Sequence, residues 1–358
     1  MTIETTEELR EHLHAALNIE LAAIPPYLYA MYSITDQRSE AAMLIRSIVV
    51  EEMLHAALVG NLLLAIGARP RFADPSLIPS FPMEMPYHEP PLELRLGRAT
   101  EDLVRDIFMR LEQPEEHRHP SKPGVYETLG QFYHAIETAI RDFGESGSLF
   151  SNPQRSSQMS DRRWYTAVDL DDDDSGGLVL VDDMDSAIEA IEIIIHQGEG
   201  LADHRWADTS HHELTHYYKL VRIAEGAAPL PETHPVPENP RLADFPGDVA
   251  VVATLFNASY RSLYLVLAEL FSPRDDKGRL VGRLYGLMSA VLGPLAGYMV
   301  SLPLDDSTVA APTFERYQFS SDDPDAELLA LAERAVEVHP DLRPVAEAIV
   351  LFQDSRPG

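Results

Sequence analysis

The sequence predicts an all-α protein, a four-helix bundle followed by a helical C-terminal extension. Apolar residues recur at steps of three and four along several long stretches, the mark of helices that bury one face. Proline-rich connections separate these stretches, and neither a strand-rich region nor a repeat of solenoid period appears among the 358 residues. Acids sit inside the apolar stripes, where a folded bundle would bury them.

The stretch Ala41 to Gly67, AAMLIRSIVVEEMLHAALVGNLLLAIG, is almost wholly apolar yet holds Glu51, Glu52 and His55 at its centre. Residues three apart are neighbours on a helix, so Glu52-x-x-His55 sets a carboxylate beside an imidazole. Ile45, Ile48, Val59 and Leu62 continue that face in both directions. An ionised carboxylate buried there needs a proton, an ion-pair partner or a bound cation. Arg46 offers the ordinary ion pair; a metal site needs further acids at the same depth on other helices.

Those acids are present. Thr5-x-x-Glu8 opens the first helix as a capping box, and its stripe, running from Leu9 and Leu13 to Ile24, Tyr27 and Met31, includes Glu20. Pro25-Pro26 should interrupt the hydrogen-bond ladder just beyond it and kink the helix. Ser39 is the expected N-cap of the central helix and Gly67 its stop. The segment from Arg69 to Pro91 reads as an extended crossover, and Thr100 to Glu112 as a short helix. The third long helix, Val125 to Phe143, carries Glu137 at the edge of its stripe of Phe132, Ile136 and Ile140. The fourth, Ser186 to Glu199, ends in Gly-Glu-Gly, glycines that suggest a local break at Glu199. Helical pattern resumes at His211, where HHELTH holds Glu213-x-x-His216 and, in the same letters, the HExxH of zinc proteases.

Glu20, Glu52 with His55, Glu137, and Glu199 with His216 together form the ligand pattern of a carboxylate-bridged dinuclear metal bundle, with Glu213 as the fallback for Glu199. Oxygen and nitrogen donors without sulfur suit iron or manganese. A single zinc on HELTH is the competing arrangement, but it leaves Glu20, Glu52 and His55 buried for no reason. A metal-binding or storage protein without an organic substrate is the second function class the same helices allow.

Composition narrows the rest. The chain has no cysteine, which excludes disulfides, thiolate ligands and thiol nucleophiles. With 28 basic against 58 acidic residues the formal charge is −30, a field that repels nucleic acid and anionic membranes. The N-terminus shows no secretory pattern, so a cytoplasmic location is expected. Leu284 to Leu304 has the length of a membrane span, but Gly293-Pro294 and the lack of flanking positive charge favour a buried, proline-broken helix pair. Asp171 to Asp182 fits the spacing of a calcium loop without its incoming helix. Pro229 to Pro246 divides the chain into a bundle at 1–228, a linker at 229–246 and a helical subdomain at 247–358, the last either a homodimer interface or a lid.

The segments LNIELAAIPPYLYAMYSI, IVVEEMLHAALVGNLLLAIGARP, FMRLEQPE, LGQFYHAIETAI, HQGEG, ELTHYYKLVRI, FNASYRSLYLVLAELF and APTFERY resemble the ferritin-like iminophenyl-pyruvate dimer synthase family, over roughly residues 5 to 320. The resemblance implies a ferritin-like bundle in which Glu20, Glu52, His55, Glu137, Glu199 and His216 hold two iron ions, or a manganese–iron pair, with O2 as cosubstrate. It implies an oxidation of a small organic substrate in secondary metabolism; Tyr27, Tyr29, Tyr133 and Tyr217 are candidates for pocket lining or electron transfer, Tyr27 and Tyr133 foremost. His196 stands where members of the family often have Glu.

Overall fold

The computed structural model describes residues 3–114, 124–145, 148–165, 176–198 and 214–353. Helix α1 (Thr6–Ser33) starts as its capping box requires: the Thr5 hydroxyl accepts from the Glu8 amide at 3.2 Å, and the Glu8 carboxylate accepts from the Thr5 amide at 3.1 Å. Pro25 and Pro26 lie within α1 and do not end it. They withhold two donors from the carbonyls one turn back, immediately after Glu20.

Helix α2 (Glu40–Ala65) is capped by the Ser39 hydroxyl. It stops at Gly67, whose φ of +76° only glycine adopts at no cost; the next amide, that of Ala68, turns back to the Leu63 carbonyl at 2.8 Å. The crossover that follows holds a two-stranded antiparallel ribbon, β1 (Met83–Glu84) with β2 (Glu93–Leu94).

The second half of the bundle is built from interrupted helices. Helix α3 (101–111) consists of Glu101–Leu103, a π-turn Val104–Phe108 and Met109–Leu111. Helix α4 (Leu129–Gly144) follows it. Helix α5 (Met184–Gln197) is capped by Asp183 and Ser186 in reciprocal hydrogen bonds, and helix α6 (His216–Ala224) begins after Thr215. α1 packs on α2 and α4, α2 on α5 and α6, α4 on α5, and α3 on α6. Among the described residues, four short helices, α3 to α6, complete the bundle against α1 and α2. The amide of Tyr217 reaches the Gly198 carbonyl at 3.5 Å, so α6 resumes close to where α5 ends.

Four further helices form the helical extension: α7 (Gly247–Leu270), α8 (278–299, with a π-turn at Leu287–Leu292), α9 (Pro324–Val338) and α10 (Arg343–Gln353). One hydrophobic core runs from Ile3 to Ile349 through both halves of the chain. The seam is close: a Cβ on Gly60 of α2 would lie 2.5 Å from the ring of Phe271, which itself packs on Phe72 with centroids 4.9 Å apart.

The segment expected to form a buried, proline-broken pair departs from that expectation. It is a single helical run in which a π-turn precedes Pro294, and a π-turn accommodates a missing amide without ending the helix. Among the described residues, three helices, Glu40–Ala65, Gly247–Leu270 and Gly278–Met299, are long and apolar enough to cross a membrane by length and composition; the first two bury most of that surface inside the protein, the third only 33%. The suggested calcium loop falls largely on residues outside the described ones.

Candidate metal centre

Among the described residues, five side chains from four elements converge at the middle of the bundle. Glu20 comes from α1, Glu52 and His55 from α2, Glu112 from the turn that closes α3, and His216 from the first position of α6; each is at most 4% exposed. They form two groups, Glu20–Glu52–His55 and Glu52–Glu112–His216, and within each the ligand atoms lie within 4.8 Å of one another. Glu52 belongs to both. Each group could hold a metal ion.

Both imidazoles turn Nδ1 to the centre. His55 Nδ1 is 3.4 Å from Glu20 Oε2 and 3.9 Å from Glu52 Oε2. His216 Nδ1 is 3.0 Å from Glu52 Oε1 and 3.3 Å from Glu112 Oε2. The two rings are stacked with centroids 5.4 Å apart. Their outer nitrogens are held by different groups: His55 Nε2 faces Gln197 Oε1 at 3.0 Å, and His216 Nε2 faces Glu51 Oε2 at 2.7 Å. Glu51 in turn receives the buried Lys219 ammonium at 2.6 and 2.8 Å. Neither oxygen of Glu51 is therefore idle, and the neighbour of Glu52 in sequence serves as a support.

Tyr27 and Tyr133 lie at the centre as well. The Tyr27 hydroxyl donates to Glu112 Oε1 at 2.6 Å, and the Tyr133 hydroxyl donates to Glu20 Oε1. Tyr27 is fixed from behind by Phe108 of the π-turn, centroids 4.4 Å apart.

The electrostatics are those of a cluster short of positive charge. Burial, then the charges of Glu20 and Glu112, push the Glu52 carboxyl well above its ordinary range. Burial opposes protonation of His216, but Glu112, Glu51 and Glu52 hold its pKa well above the ordinary imidazole value. Burial likewise works against ionised Glu20, and the hydrogen bond and charge of His55 outweigh it. Glu51, despite burial, is held down to about 2 by Lys219 and His216. A carboxyl kept neutral beside an imidazole kept charged is what results when protons stand in for cations. Carboxylate oxygens and imidazole nitrogens, all buried, with Lys219 already engaged by Glu51, fit a pair of divalent ions.

Two expectations from the sequence change. Glu137 does not join the centre: it is bonded to His134 Nδ1 at 3.0 Å and to Arg141 at 2.7 Å on the outer edge of α4, one position past the buried Ile136. The helix sends Tyr133 inward instead, and the carboxylate comes from Glu112. Val104, Phe108 and Glu112 stand four apart on one apolar face, a signal the sequence held but which the short helix before Pro114 obscured. Glu199 and Glu213 lie outside the described residues. Leu214 and Thr215 are not helical, and Thr215, at ψ 162°, is the N-cap of α6. The helical spacing on which HExxH and Glu213-x-x-His216 both rest therefore does not run into His216. His196, the next-to-last residue of α5, is exposed.

Comparison with known proteins agrees with this architecture. The Ferritin-like family model matches residues 13–225, and the chain belongs to that family. Among curated relatives it is 27% identical to the 2-imino-3-(indol-3-yl)propanoate dimerase of Chromobacterium violaceum, over 84% of this chain and 33% of that one. It is 23% identical to the dichlorochromopyrrolate synthase of Lentzea aerocolonigenes, over 87% of this chain and 36% of the other. The chain thus spans about a third of the length of these relatives. A crystal structure of a ferritin-like protein from Caulobacter vibrioides superposes with a TM-score of 0.61 at 21% identity, covering 87% of this chain and 100% of that one, and shows the fold.

Proposed function

We propose that the chain is an O2-dependent oxidoreductase with a dinuclear metal centre, acting on a small, amino-acid-derived imine or aromatic substrate in secondary metabolism. The observation that carries this reading is the sharing of Glu52 between two buried groups, each of two carboxylates and one imidazole. The storage alternative calls for a cage-like oligomer and iron uptake beyond two ions per chain.

Glu20 with His55 would hold one ion and Glu112 with His216 the other, Glu52 serving both. Iron, or manganese with iron, would supply one-electron redox chemistry and a Lewis-acidic seat for dioxygen. Tyr27 and Tyr133 donate to Glu112 Oε1 and Glu20 Oε1, so neither of these carboxylate oxygens is left as a bare buried charge. The apolar walls of α1 and α2 keep water from the centre. The names of the curated relatives direct attention to indolyl imines. Joining two such molecules with loss of one hydrogen from each is a two-electron oxidation, and dioxygen, reduced to hydrogen peroxide, closes the balance.

Anaerobic loading with Fe(II), then exposure to O2 with optical and Mössbauer detection, tests the reading; substrate turnover is followed by mass spectrometry of an indolyl imine. Two irons per chain, an O2-dependent spectral change and a product two hydrogens lighter than its parts are expected. Uptake of many irons per chain with no substrate oxidation would establish storage instead.

A further inference from the structure

Among the described residues, the two halves of the centre offer the same donors and differ in what stands behind the histidines. Each has one terminal glutamate, a share of Glu52 and one histidine presenting Nδ1. Each terminal glutamate also carries a tyrosine hydroxyl, Tyr133 on Glu20 and Tyr27 on Glu112. The difference lies behind the histidines. The outer nitrogen of His55 meets the amide oxygen of Gln197, while that of His216 meets the carboxylate of Glu51, which the Lys219 ammonium holds in place.

A hydrogen bond to a carboxylate draws the Nε2 proton more strongly than one to an amide. It leaves Nδ1 the better electron donor and fixes the ring more firmly. We infer that the centre is built unequal: the position at His216 binds its metal first and more tightly, and the position at His55 is the exchangeable one. This rests on the dinuclear reading above and goes beyond it, since it assigns Glu51 and Lys219 as positioning residues for one metal and orders the two loading steps. Outer partners of a metal-bound histidine are worth roughly 10- to 100-fold in affinity, so the steps should be resolvable.

The placement of Glu51 agrees with such a role. It is 1% exposed, on the same helix turn as Glu52, and a buried carboxylate–ammonium pair is costly unless every donor and acceptor is used.

The test is a calorimetric titration of metal-free protein with Co(II), the d–d absorption being read in parallel. The native chain should take up two equivalents in two steps. Changing His216→Ala should remove the tight step and His55→Ala the weak one. In the double variant Glu51→Gln with Lys219→Met, which leaves no unpaired buried charge, the tight step should weaken by roughly 10- to 100-fold while the weak one stays. Gln197→Glu, a change on the other side, should tighten the step lost in His55→Ala. Two equal steps in the native chain, or a tight step that survives the Glu51/Lys219 double variant with normal helical circular dichroism, would overturn the inequality and leave the dinuclear reading standing. No stoichiometric Co(II) binding would remove both.

Discussion

The hydroxyl of Tyr27, on α1, donates to Oε1 of Glu112, on the turn after α3, at 2.6 Å. The bond joins two residues 85 positions apart and leaves only Oε2 of Glu112 facing His216. One carboxylate oxygen is thus committed to a proton donor and the other to the centre.

Tyr27→Phe should therefore leave a buried carboxylate oxygen without its donor. The expected cost is about 1–3 kcal/mol in the metal-free protein. Thermal unfolding of the metal-free and metal-loaded forms measures it, with a smaller loss in the loaded form because a cation then shares the charge. Equal stability of variant and parent in the metal-free form would contradict the bond's role.

Glu112→Gln and Glu137→Gln separate the carboxylate the structure places at the centre from the one on the outer edge of α4. Metal analysis after loading should give about one ion per chain for the first and two for the second, as the ligand set requires. The reverse pattern would restore Glu137 to the centre.

The π-turn Val104–Phe108 sets the direction of Glu112. Deleting Asp106, an exposed residue within it, would let the segment close as an α-helix and turn everything after it by about 100°. The expected result is retained helical circular dichroism with loss of one metal per chain, while Asp106→Ala keeps both.

Glu137 also provides a pH signature. Its hydrogen bond from His134, with burial opposing and Arg141 assisting, lowers its pKa from 4.5 to about 2. A group whose folded value is depressed stabilises the fold above the unfolded pKa and loses that contribution as pH falls through the folded one. The contribution should thus be full above pH 4.5 and vanish toward pH 2. After discount for solvent screening it is about 1 kcal/mol. Acid unfolding of Glu137→Gln followed by circular dichroism should show the difference from the parent near pH 5 and none near pH 2.

At the seam between bundle and extension, Gly60→Ala would place a methyl group 2.5 Å from the Phe271 ring. Overpacking of this kind costs about 1–3 kcal/mol, and Phe271→Leu in the same chain should recover part of it. Denaturant midpoints of the single and double variants check the coupling.

The bundle's helices, their caps and the burial of Glu20, Glu52 and His55 were legible in the sequence. Each follows from a local pattern: Thr5 with Glu8, Ser39 before an apolar run, Gly67 after it, and acids at stripe positions. Periodicity states which face of one helix is apolar, and nothing more. Which carboxylate on the third arm meets His216, and which groups stand behind the two imidazoles, depends on the rotation and depth of one helix against another. A single-residue widening at Val104–Phe108 and the breaks after Glu112 and Gln197 determine that rotation. Only the assembled structure decides it, because a shift of one residue turns a side chain by about 100° while leaving the apolar pattern almost unchanged.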